Sequence, residues 1–381
     1  MPITQDRKAK EYFSGLKPDE PLEDVESMVI THFLPGKKIF VDAVDSVAPV
    51  QVAIPKPSSI KFSEYQAISI DYNVQTLTRE YATGILTELI KKTSDDVRLV
   101  LLDIGGYFAG VLDQERELVQ RKVAGVIEDT INGEKKYESI GKPWPVPVAS
   151  VARSPLKLPE DHNVGKALVF SVDAVLRDFN IILHGKRCLV IGYGPIGSGI
   201  ASDLRNREAY VTIQDNDPLA RTRAESDGYQ VSVDKDHVNK FDLIVCATGG
   251  GSLGKDDLER LKQHCFVATA TSSDEEFKKD ALEGLPSIEI HRYVWEYHSA
   301  VGRSFYLINN GKAANFIHDA VIGEYIYLLQ GEIIRLIPYL ANHTGTLPKD
   351  RIITLPDDQR KEVAEQWERI WNTNIAGNKK P

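Results

Sequence analysis

The sequence is short of cysteine, of basic charge and of long uncharged apolar runs, and each shortage excludes a class of protein. Three cysteines occur among 381 residues. Their wide spacing matches no metal-ligand pattern, so we expect no metal site and buried thiols in a reducing compartment. The formal net charge of −9 argues against nucleic acid as the main partner, because phosphate binding needs a basic surface. The most apolar late segment, residues 319–340, contains Asp319, Glu324, Glu332 and Arg335, too many charges for a membrane span.

Other absences narrow the class further. The opening stretch MPITQDRKAKEYF is polar and of mixed charge, so it lacks the apolar core of a secretory signal. No internal repeat or low-complexity tract is visible. The 42% of hydrophobic residues are enough for a substantial core, and the length suggests two domains. We therefore expect a cytoplasmic protein with no membrane partner.

Short apolar runs alternate with helical patterns along much of the chain, which predicts the α/β fold class. The runs predicted as buried parallel strands are KIFVDAV, RLVLLDI, CLVIGY, YVTIQD, LIVCAT and CFVATA. Helical stretches such as TREYATGILTELIKK separate many of them. Five prolines between Pro143 and Pro159 predict an edge strand that runs into a loop, since proline cannot donate to a sheet ladder.

One motif indicates a ligand. Gly192, Gly194 and Gly197 form G-x-G-x-x-G between the predicted strand RCLVI and the predicted helix SGIASDLRNR, and the next strand ends at Asp215. This unit is typical of dinucleotide binding, in which the glycines admit the pyrophosphate at a helix N-terminus. A carboxylate at Asp215 can accept hydrogen bonds from both ribose hydroxyls and would repel a 2′-phosphate, which favours NAD over NADP. FAD, another nucleotide, or a Rossmann fold that binds no dinucleotide are the alternatives.

The segments around this loop resemble the cofactor domain of S-adenosylhomocysteine hydrolase (adenosylhomocysteinase). GYGPIGSG at 192–199 matches the family's G-Y-G-x-x-G-x-G loop, DNDP at 215–218 its acid-x-D-P step, and DGYQV at 227–231 its E-G-Y-x-V segment. VCATGG at 245–250 and INNGKAANF at 308–316 match further motifs. Upstream, LLDIGG and GVIEDTINGEKKY resemble motifs of the family's substrate domain.

The resemblance implies a domain plan. A Rossmann-type doubly wound parallel sheet would bind NAD over residues 166–309, and a second α/β domain for the substrate would cover residues 1–165. Residues 310–381 would form a return helix and a C-terminal tail that packs on the substrate domain or on a neighbouring subunit, in a homo-oligomer.

The resemblance also implies a mechanism. In the family, tightly held NAD oxidises C3′ of a nucleoside ribose, the C4′ proton and the 5′ thioether leave, water adds, and the hydride returns. Lys157 would manage the 3′-hydroxyl proton and Asp161 would orient that hydroxyl, because a desolvated lysine can serve as a base. An ordinary surface Lys–Asp pair is the alternative. Asp129 stands where a family glutamate grips the ribose hydroxyls. The cofactor contacts implied beyond the glycine loop and Asp215 are Thr130, Asn132, Thr248, Gly249 and Asn315.

The chain departs from the family at several catalytic positions. Ile104 replaces the acid/base aspartate of the D-D-G-G motif, and Ser272 or a neighbour stands in place of a histidine. His162 replaces an asparagine, and His318 is out of register with a second active-site histidine. The family's C-terminal Lys and Tyr, which reach a neighbouring subunit's NAD, have no recognisable counterpart in IAGNKKP. Loss of one acid/base group typically costs 10²- to 10⁴-fold in rate.

We therefore expect an NAD-dependent enzyme that oxidises a sugar carbon of a nucleoside or related small molecule and hydrolyses S-adenosylhomocysteine poorly. Two other classes remain open: an NAD-binding regulator or pseudoenzyme, and an ordinary hydroxy-acid or amino-acid dehydrogenase on the same fold. Fold alone does not choose among them.

Overall fold

The computed structural model describes residues 3–18, 22–233, 238–271, 276–278 and 280–372. The chain forms two compact units. Unit 1 combines the chain up to Lys157 with the chain from Glu324 onward, and unit 2 runs from Leu158 to Gly323. The sequence predicts divisions at 165/166 and 309/310. The first division of the structure comes earlier because the helix that begins at Leu158 packs along its length on other parts of unit 2.

The first stretch of unit 1 is a parallel α/β layer. Its elements are α1 (Ile3–Ser14), β1 (Val25–Phe33), α2 (Lys37–Asp45), β2 (Val50–Ile60), α3 (Phe62–Asp71), α4 (Ala82–Lys91), β3 (Arg98–Asp103), α5 (Ala109–Gln114), α6 (Arg116–Lys122), β4 (Val123–Glu128), α7 (Ile131–Ser139) and β5 (Val148–Ser150). The strands pair in parallel in the order β2-β1-β3-β4-β5. The proline-flanked strand β5 lies at the edge, as the proline pattern predicts.

One predicted strand is wrong. The segment KIFVDAV lies within helix α2, and the strand before it is β1, whose sequence is VESMVITHF. Ile39, Phe40, Val41 and Val44 of α2 are all buried, whereas Lys38, Asp42 and Asp45 recur at helical spacing on a polar face. The short run KIFVDAV, taken without its polar neighbours, does not separate a helix from a buried strand.

Unit 2 is a doubly wound sheet. Its elements are α8 (Leu158–Asp178), β6 (Arg187–Ile191), α9 (Pro195–Asn206), β7 (Tyr210–Gln214), α10 (Pro218–Ser226), β8 (Gln230–Ser232), β9 (Leu243–Cys246), α11 (Lys255–Arg260), β10 (Cys265–Thr269), β11 (Ser287–His291), β12 (Val294–His298) and β13 (Ser304–Ile308). The strand order is β11-β12-β13-β10-β9-β6-β7-β8. β12 pairs antiparallel with β11 and with β13, and all the other neighbouring strands of this sheet pair in parallel. With β6 as the first strand, this is the Rossmann order, which confirms the predicted fold class.

Two glycines bring α8 against α9, the helix that begins at the glycine loop. A Cβ atom at Gly165 would lie 2.4 Å from the carbonyl oxygen of Ile196, and one at Gly199 would lie 2.2 Å from the carbonyl oxygen of His162. Neither backbone could approach so closely with a side chain present. The contact fixes the position of α9 and so of the loop before it.

The chain then returns to unit 1 through α12 (Ile326–His343) and α13 (Asp357–Trp371). Ile334, Ile337 and Leu340 of α12 are fully buried against residues of β3, β4 and α2. Burial of α12 on this face explains its long apolar sequence. Among the described helices, none combines the length and hydropathy needed to cross a bilayer.

Candidate functional sites in the two units

The glycine loop of unit 2 has the shape that a dinucleotide requires. Gly192 adopts φ +101°, and a Cβ there would lie 2.6 Å from the carbonyl oxygen of Ala247. A Cβ at Gly197 would lie 2.0 Å from the carbonyl oxygen of Gly192. At Gly194, by contrast, an added Cβ would have no atom within 4 Å, and this residue caps the N-terminus of α9. The first and third glycines are therefore needed for packing, while the second leaves open space in front of a helix N-terminus.

Asp215 lies beside this loop, directly after β7. The Tyr193 N–H donates to Asp215 Oδ2 at 2.7 Å, and the Asp217 N–H donates to Oδ1 at 2.8 Å. These two backbone contacts hold the half-buried carboxylate in a fixed orientation. Each carboxylate oxygen has more than one acceptor direction, so Asp215 can still accept from ribose hydroxyls.

Thr248 and Gly249 follow β9 in a loop that a buried carboxylate holds. Glu276 is 0% exposed, and its Oε2 accepts from the Thr248 N–H and the Thr248 hydroxyl, both at 3.0 Å. The Thr271 hydroxyl donates to Oε1 at 2.9 Å. The carboxylate thus sets the conformation of the loop that contains the two predicted cofactor contacts.

Asn315 of unit 2 has a buried polar atom that bears on the fit of the cofactor. Its side chain is 5% exposed, and its Oδ1 has no hydrogen-bond partner within the described ranges. A buried amide oxygen without a donor is costly. A cofactor that offers an N–H or O–H group would satisfy it, so the residues present fit NAD.

A second candidate site lies at the carboxyl edge of the unit 1 sheet, where two acids end neighbouring strands. Asp103 and Glu128 are paired in register at the ends of β3 and β4, and both are buried. Glu128 accepts from the backbone N–H groups of Gly105 and Gly106, each at 2.9 Å. Asp103 Oδ2 accepts from the Phe108 N–H at 3.0 Å and the Tyr137 hydroxyl at 2.5 Å.

Burial dominates the protonation of this pair. Desolvation, reinforced by the neighbouring Asp103 charge, raises the pKa of Glu128 to about 8, although its hydrogen-bond donors act in the opposite direction. Desolvation also raises the pKa of Asp103. Two carboxyl groups this close titrate as a pair, so one proton is retained between them near neutral pH.

Lys157 and Asp129, two of the predicted site residues, lie together in unit 1. Lys157 Nζ is 2.9 Å from Asp129 Oδ1, and the two side chains are only 11% and 18% exposed. Asp129 directly follows Glu128, and its N–H donates to the carbonyl oxygen of Asp103 at 3.1 Å. This pair is therefore built into the edge of the sheet and is not an exposed surface pair.

The turn that contains Lys157 is held in place by hydrogen bonds and an ion pair with the C-terminal helices α12 and α13. The Ser154 hydroxyl donates to Glu332 of α12, which is 0% exposed. Arg360 of α13 lies 3.1 Å from the same carboxylate. The Lys157 N–H donates to the Ser154 carbonyl oxygen at 3.0 Å. The return of the chain through α12 and α13 thus positions Lys157.

The remaining predicted residues, Thr130, Asn132 and Asp161, lie at or near the first turns of helices α7 and α8. Thr130 caps α7: its Oγ1 accepts from the Gly133 N–H at 3.0 Å and donates to Glu128 at 2.7 Å. Asn132 is half-buried in the first turn of the same helix. Asp161 is 8% exposed in the first turn of α8 in unit 2. A cofactor role for Thr130 and Asn132, and a catalytic role for Asp161, stay predictions.

The positions at which the chain departs from the family are mostly occupied by packing groups. Ile104 is 6% exposed and belongs to the apolar core that contains Leu101 and Tyr107. His318 contacts the Ser171 hydroxyl at 3.1 Å and packs edge-on against Phe170. Burial and the nearby Lys166 lower the pKa of His162. Ser272 lies outside the described residues.

Sequence reasoning missed Glu128, Glu276 and Glu332, although each is a buried acid that holds part of a candidate site. Only Glu128 carried a usable signal: it ends the apolar run VAGVI, which is not among the predicted strands, just as Asp103 follows the apolar run of the predicted strand RLVLLDI. Carboxyl ends of parallel strands meet at one edge, where ligands bind. Glu276 and Glu332 act across long sequence separations that no local pattern reveals.

Comparisons with known proteins agree with this geometry. Residues 167–320 match the sequence model of the "S-adenosyl-L-homocysteine hydrolase, NAD binding domain" family. An adenosylhomocysteinase of Thermotoga maritima is 28% identical over 295 residues, which are 75% of this chain and 72% of that protein. One from Aeropyrum pernix is 30% identical over 223 residues, 57% of this chain and 53% of that protein. An S-inosyl-L-homocysteine hydrolase of Methanopyrus kandleri is 26% identical over 278 residues, 70% of this chain and 64% of that protein.

The matched region contains the glycine loop, Asp215, the Thr248 loop and Asn315, which are the groups that fit the cofactor. Residues 167–320 thus match the NAD-binding domain of the S-adenosylhomocysteine hydrolase family, and the cofactor is NAD.

Proposed function

We propose that the protein uses bound NAD to oxidise a sugar carbon of a nucleoside or related substrate. The observation that carries the proposal is the contact between Lys157 and Asp129 at the carboxyl edge of the unit 1 sheet. Bound NAD supplies a hydride acceptor. The chain itself must supply a group that takes up the hydroxyl proton, and this pair provides it.

In this proposal the Lys157 ammonium group passes one proton to the Asp129 carboxylate and its amine then accepts the proton of the hydroxyl group that is oxidised, so that the pair together takes up that proton. The low exposure of both side chains limits competition from water and strengthens their interaction. Asp161 orients the same hydroxyl. Glu332 and Ser154 position Lys157 indirectly, because their hydrogen bond holds the turn that contains it.

Hydrolysis of S-adenosylhomocysteine itself should be weak or absent. Elimination and hydration need further acid/base groups, and Ile104 is an apolar core residue that cannot move a proton. The relatives include hydrolases named for adenosyl and for inosyl substrates, so the nucleobase is also open. A nucleoside panel is therefore the appropriate search.

The experiment has two steps. The purified protein is denatured and the released nucleotide is identified, which tests retention of NAD. The intact protein is then mixed with single nucleosides while the absorbance of bound NADH is followed. Appearance of NADH with at least one nucleoside supports the proposal. Retained NAD with no reduction across a broad panel favours the regulator, and free exchange of NADH with solvent favours an ordinary dehydrogenase.

A further inference from the structure

The loop that follows β9 contains three consecutive glycines and so has a very free backbone. It runs from Thr248 to Ser252 and includes Gly249, Gly250 and Gly251. The first and third of these glycines adopt positive φ, at +57° and +71°. Glycine loses more conformational freedom on folding than any other residue. A loop of this composition therefore keeps one shape only where other parts of the chain hold it.

This triple-glycine loop lies at the place where the sheet of unit 2 is expected to bind its dinucleotide. The strand β6 has β9 on one side and β7 on the other, and ligands bind outside the carboxyl ends of the strands at such a switch point. The loop also packs on the glycine loop after β6, since a Cβ at Gly192 would lie 3.1 Å from Thr248 Cγ2. Its conformation therefore shapes one wall of the cofactor crevice.

One buried residue, Glu276, holds both ends of the triple-glycine loop. At the first end, its carboxylate accepts from the Thr248 N–H and the Thr248 hydroxyl, both at 3.0 Å. At the other end, its main-chain carbonyl oxygen accepts from the Ser252 N–H at 2.5 Å and from the Ser252 hydroxyl at 2.6 Å. Each end thus makes a backbone and a side-chain contact with the same residue, and the three glycines lie between these contacts.

The segment that contains Glu276 is itself fixed to the sheet. Phe277 forms a parallel bridge with Leu253, and the Lys278 N–H donates to the Leu253 carbonyl oxygen at 2.8 Å. The Thr271 hydroxyl, after β10, donates to Glu276 Oε1 at 2.9 Å. Because Glu276 is 0% exposed, water does not compete for these contacts. The residue is therefore a rigid anchor for a loop that has little rigidity of its own.

We propose that Glu276 is a positioning residue for NAD, which keeps the triple-glycine loop of the cofactor-free protein in the conformation that binds the dinucleotide. When a binding conformation is only partly populated, the apparent affinity falls in proportion to that population. Release of one end would let the glycines adopt other conformations and so lower the population. Glu276 need not touch the cofactor for this effect. The inference concerns the cofactor and does not depend on which substrate is oxidised.

The test compares NAD affinity, by calorimetry on nucleotide-free protein, with hydrogen exchange of the loop amides in the same protein, which reports local opening. Glu276→Met keeps the length of the side chain but removes the acceptor. It should speed exchange at residues 248–252 and weaken NAD binding at least about tenfold. Glu276→Gln can accept with its amide oxygen and donate to the Thr271 hydroxyl, so it should bind NAD within about threefold of wild type. Glu283→Met, at an exposed glutamate of unit 2, is the matched control.

Ser252→Ala covers the case in which Glu276→Met does not fold. It removes one contact at the other end of the loop and should speed exchange and weaken NAD binding about threefold. Faster exchange with NAD affinity equal to wild type overturns the inference, because the contacts would then serve the fold alone. Unchanged exchange in both variants overturns it too, as does a Glu276→Gln variant as weak as Glu276→Met. Faster exchange together with weaker NAD binding supports it, whether or not any nucleoside is oxidised.

Discussion

At the scale of single residues, Asp103 and Glu128 show how burial competes with hydrogen bonding. Glu128 accepts from two glycine N–H groups and from the N–H and hydroxyl of Thr130, all of which favour the ionised form. Burial and the Asp103 charge nevertheless raise its pKa to about 8. Strongly perturbed pKa values cluster at functional sites, and Glu128 lies next to Asp129 of the candidate site.

This raised pKa predicts that the protein loses stability as the pH rises toward about 8. The unfolded carboxyl has a pKa of about 4.3, so below that pH both states hold the proton, and above it only the folded state does. Stability therefore falls until the folded pKa of about 8 is passed. His32 and His162, whose pKa values are lowered, have opposite effects that end near their unfolded value of about 6.5.

The measurement is the urea midpoint between pH about 6.5 and about 8, the window chosen from those pKa values. Wild type should lose stability across it, and Glu128→Gln should show a flatter dependence. Glu117→Gln, an exposed residue of α6, serves as control and should follow the wild type. Identical slopes in wild type and Glu128→Gln would show that Glu128 is already ionised in the folded protein.

Asp215 determines which dinucleotide binds, if its carboxylate faces the ribose. Asp215→Ala should weaken NAD binding by about 1.5–3 kcal/mol, the value of a hydrogen bond to a charged group, and should improve NADP binding relative to NAD binding. The ratio of the two affinities is the informative quantity, because any disturbance of the Tyr193 and Asp217 contacts affects both cofactors. Equal binding of NAD and NADP by the wild type would remove this role.

At the scale of elements, different glycines of the loop serve packing and ligand binding, so substitutions can test the two roles separately. Gly194→Ala should leave the free energy of unfolding within about 0.5 kcal/mol, because no atom lies within 4 Å of the added Cβ. NAD affinity should nevertheless fall at least about tenfold, since the methyl group occupies the space where a pyrophosphate approaches the backbone. The measurements are a denaturant titration without cofactor and a calorimetric titration with NAD.

Two further variants act as controls for that prediction. Gly84→Ala, on α4, also meets no atom within 4 Å and should not alter NAD binding. Gly197→Ala would place its Cβ 2.0 Å from the Gly192 carbonyl oxygen, so it should destabilise the fold by about 1–3 kcal/mol. If Gly194→Ala binds NAD as tightly as the wild type, the cofactor does not pass over this glycine.

The elements that the sequence predicted well are those with a repeated local signal. The strand, glycine loop and helix from Arg187 to Asn206 follow from alternating patterns and a motif with a known backbone requirement, and the structure confirms them. The strand prediction for KIFVDAV is wrong because that run is too short to reveal the helical spacing of Lys38, Asp42 and Asp45. The contacts of Glu276 with Thr248 and of Glu332 with Ser154 could not have been predicted, since each forms only after the chain has folded over a long separation.

At the scale of the whole molecule, the similarity to the S-adenosylhomocysteine hydrolase family predicts NAD binding, whereas the altered positions predict a change in catalysis. NAD binding rests on the glycine loop, Asp215 and Asn315 of unit 2, whose geometry fits the cofactor. Hydrolysis of S-adenosylhomocysteine requires further acid/base groups, and the structure places Ile104 in a core. We therefore expect turnover of S-adenosylhomocysteine to adenosine and homocysteine to be at least about 10²-fold below ordinary enzyme rates. Chromatographic detection of both products at an ordinary rate would contradict this expectation.

Lys157 tests the central claim most directly, because it distinguishes an enzyme from a regulator that only binds NAD. The measurement is the single-turnover absorbance of bound NADH after the protein is mixed with a nucleoside substrate, in wild type, Lys157→Met and the control Lys92→Met. The account predicts a loss of at least about 10²-fold in Lys157→Met, with NAD affinity nearly unchanged because the glycine loop belongs to unit 2. Equal rates in wild type and Lys157→Met, or no NADH in any protein across a broad nucleoside panel, would contradict it.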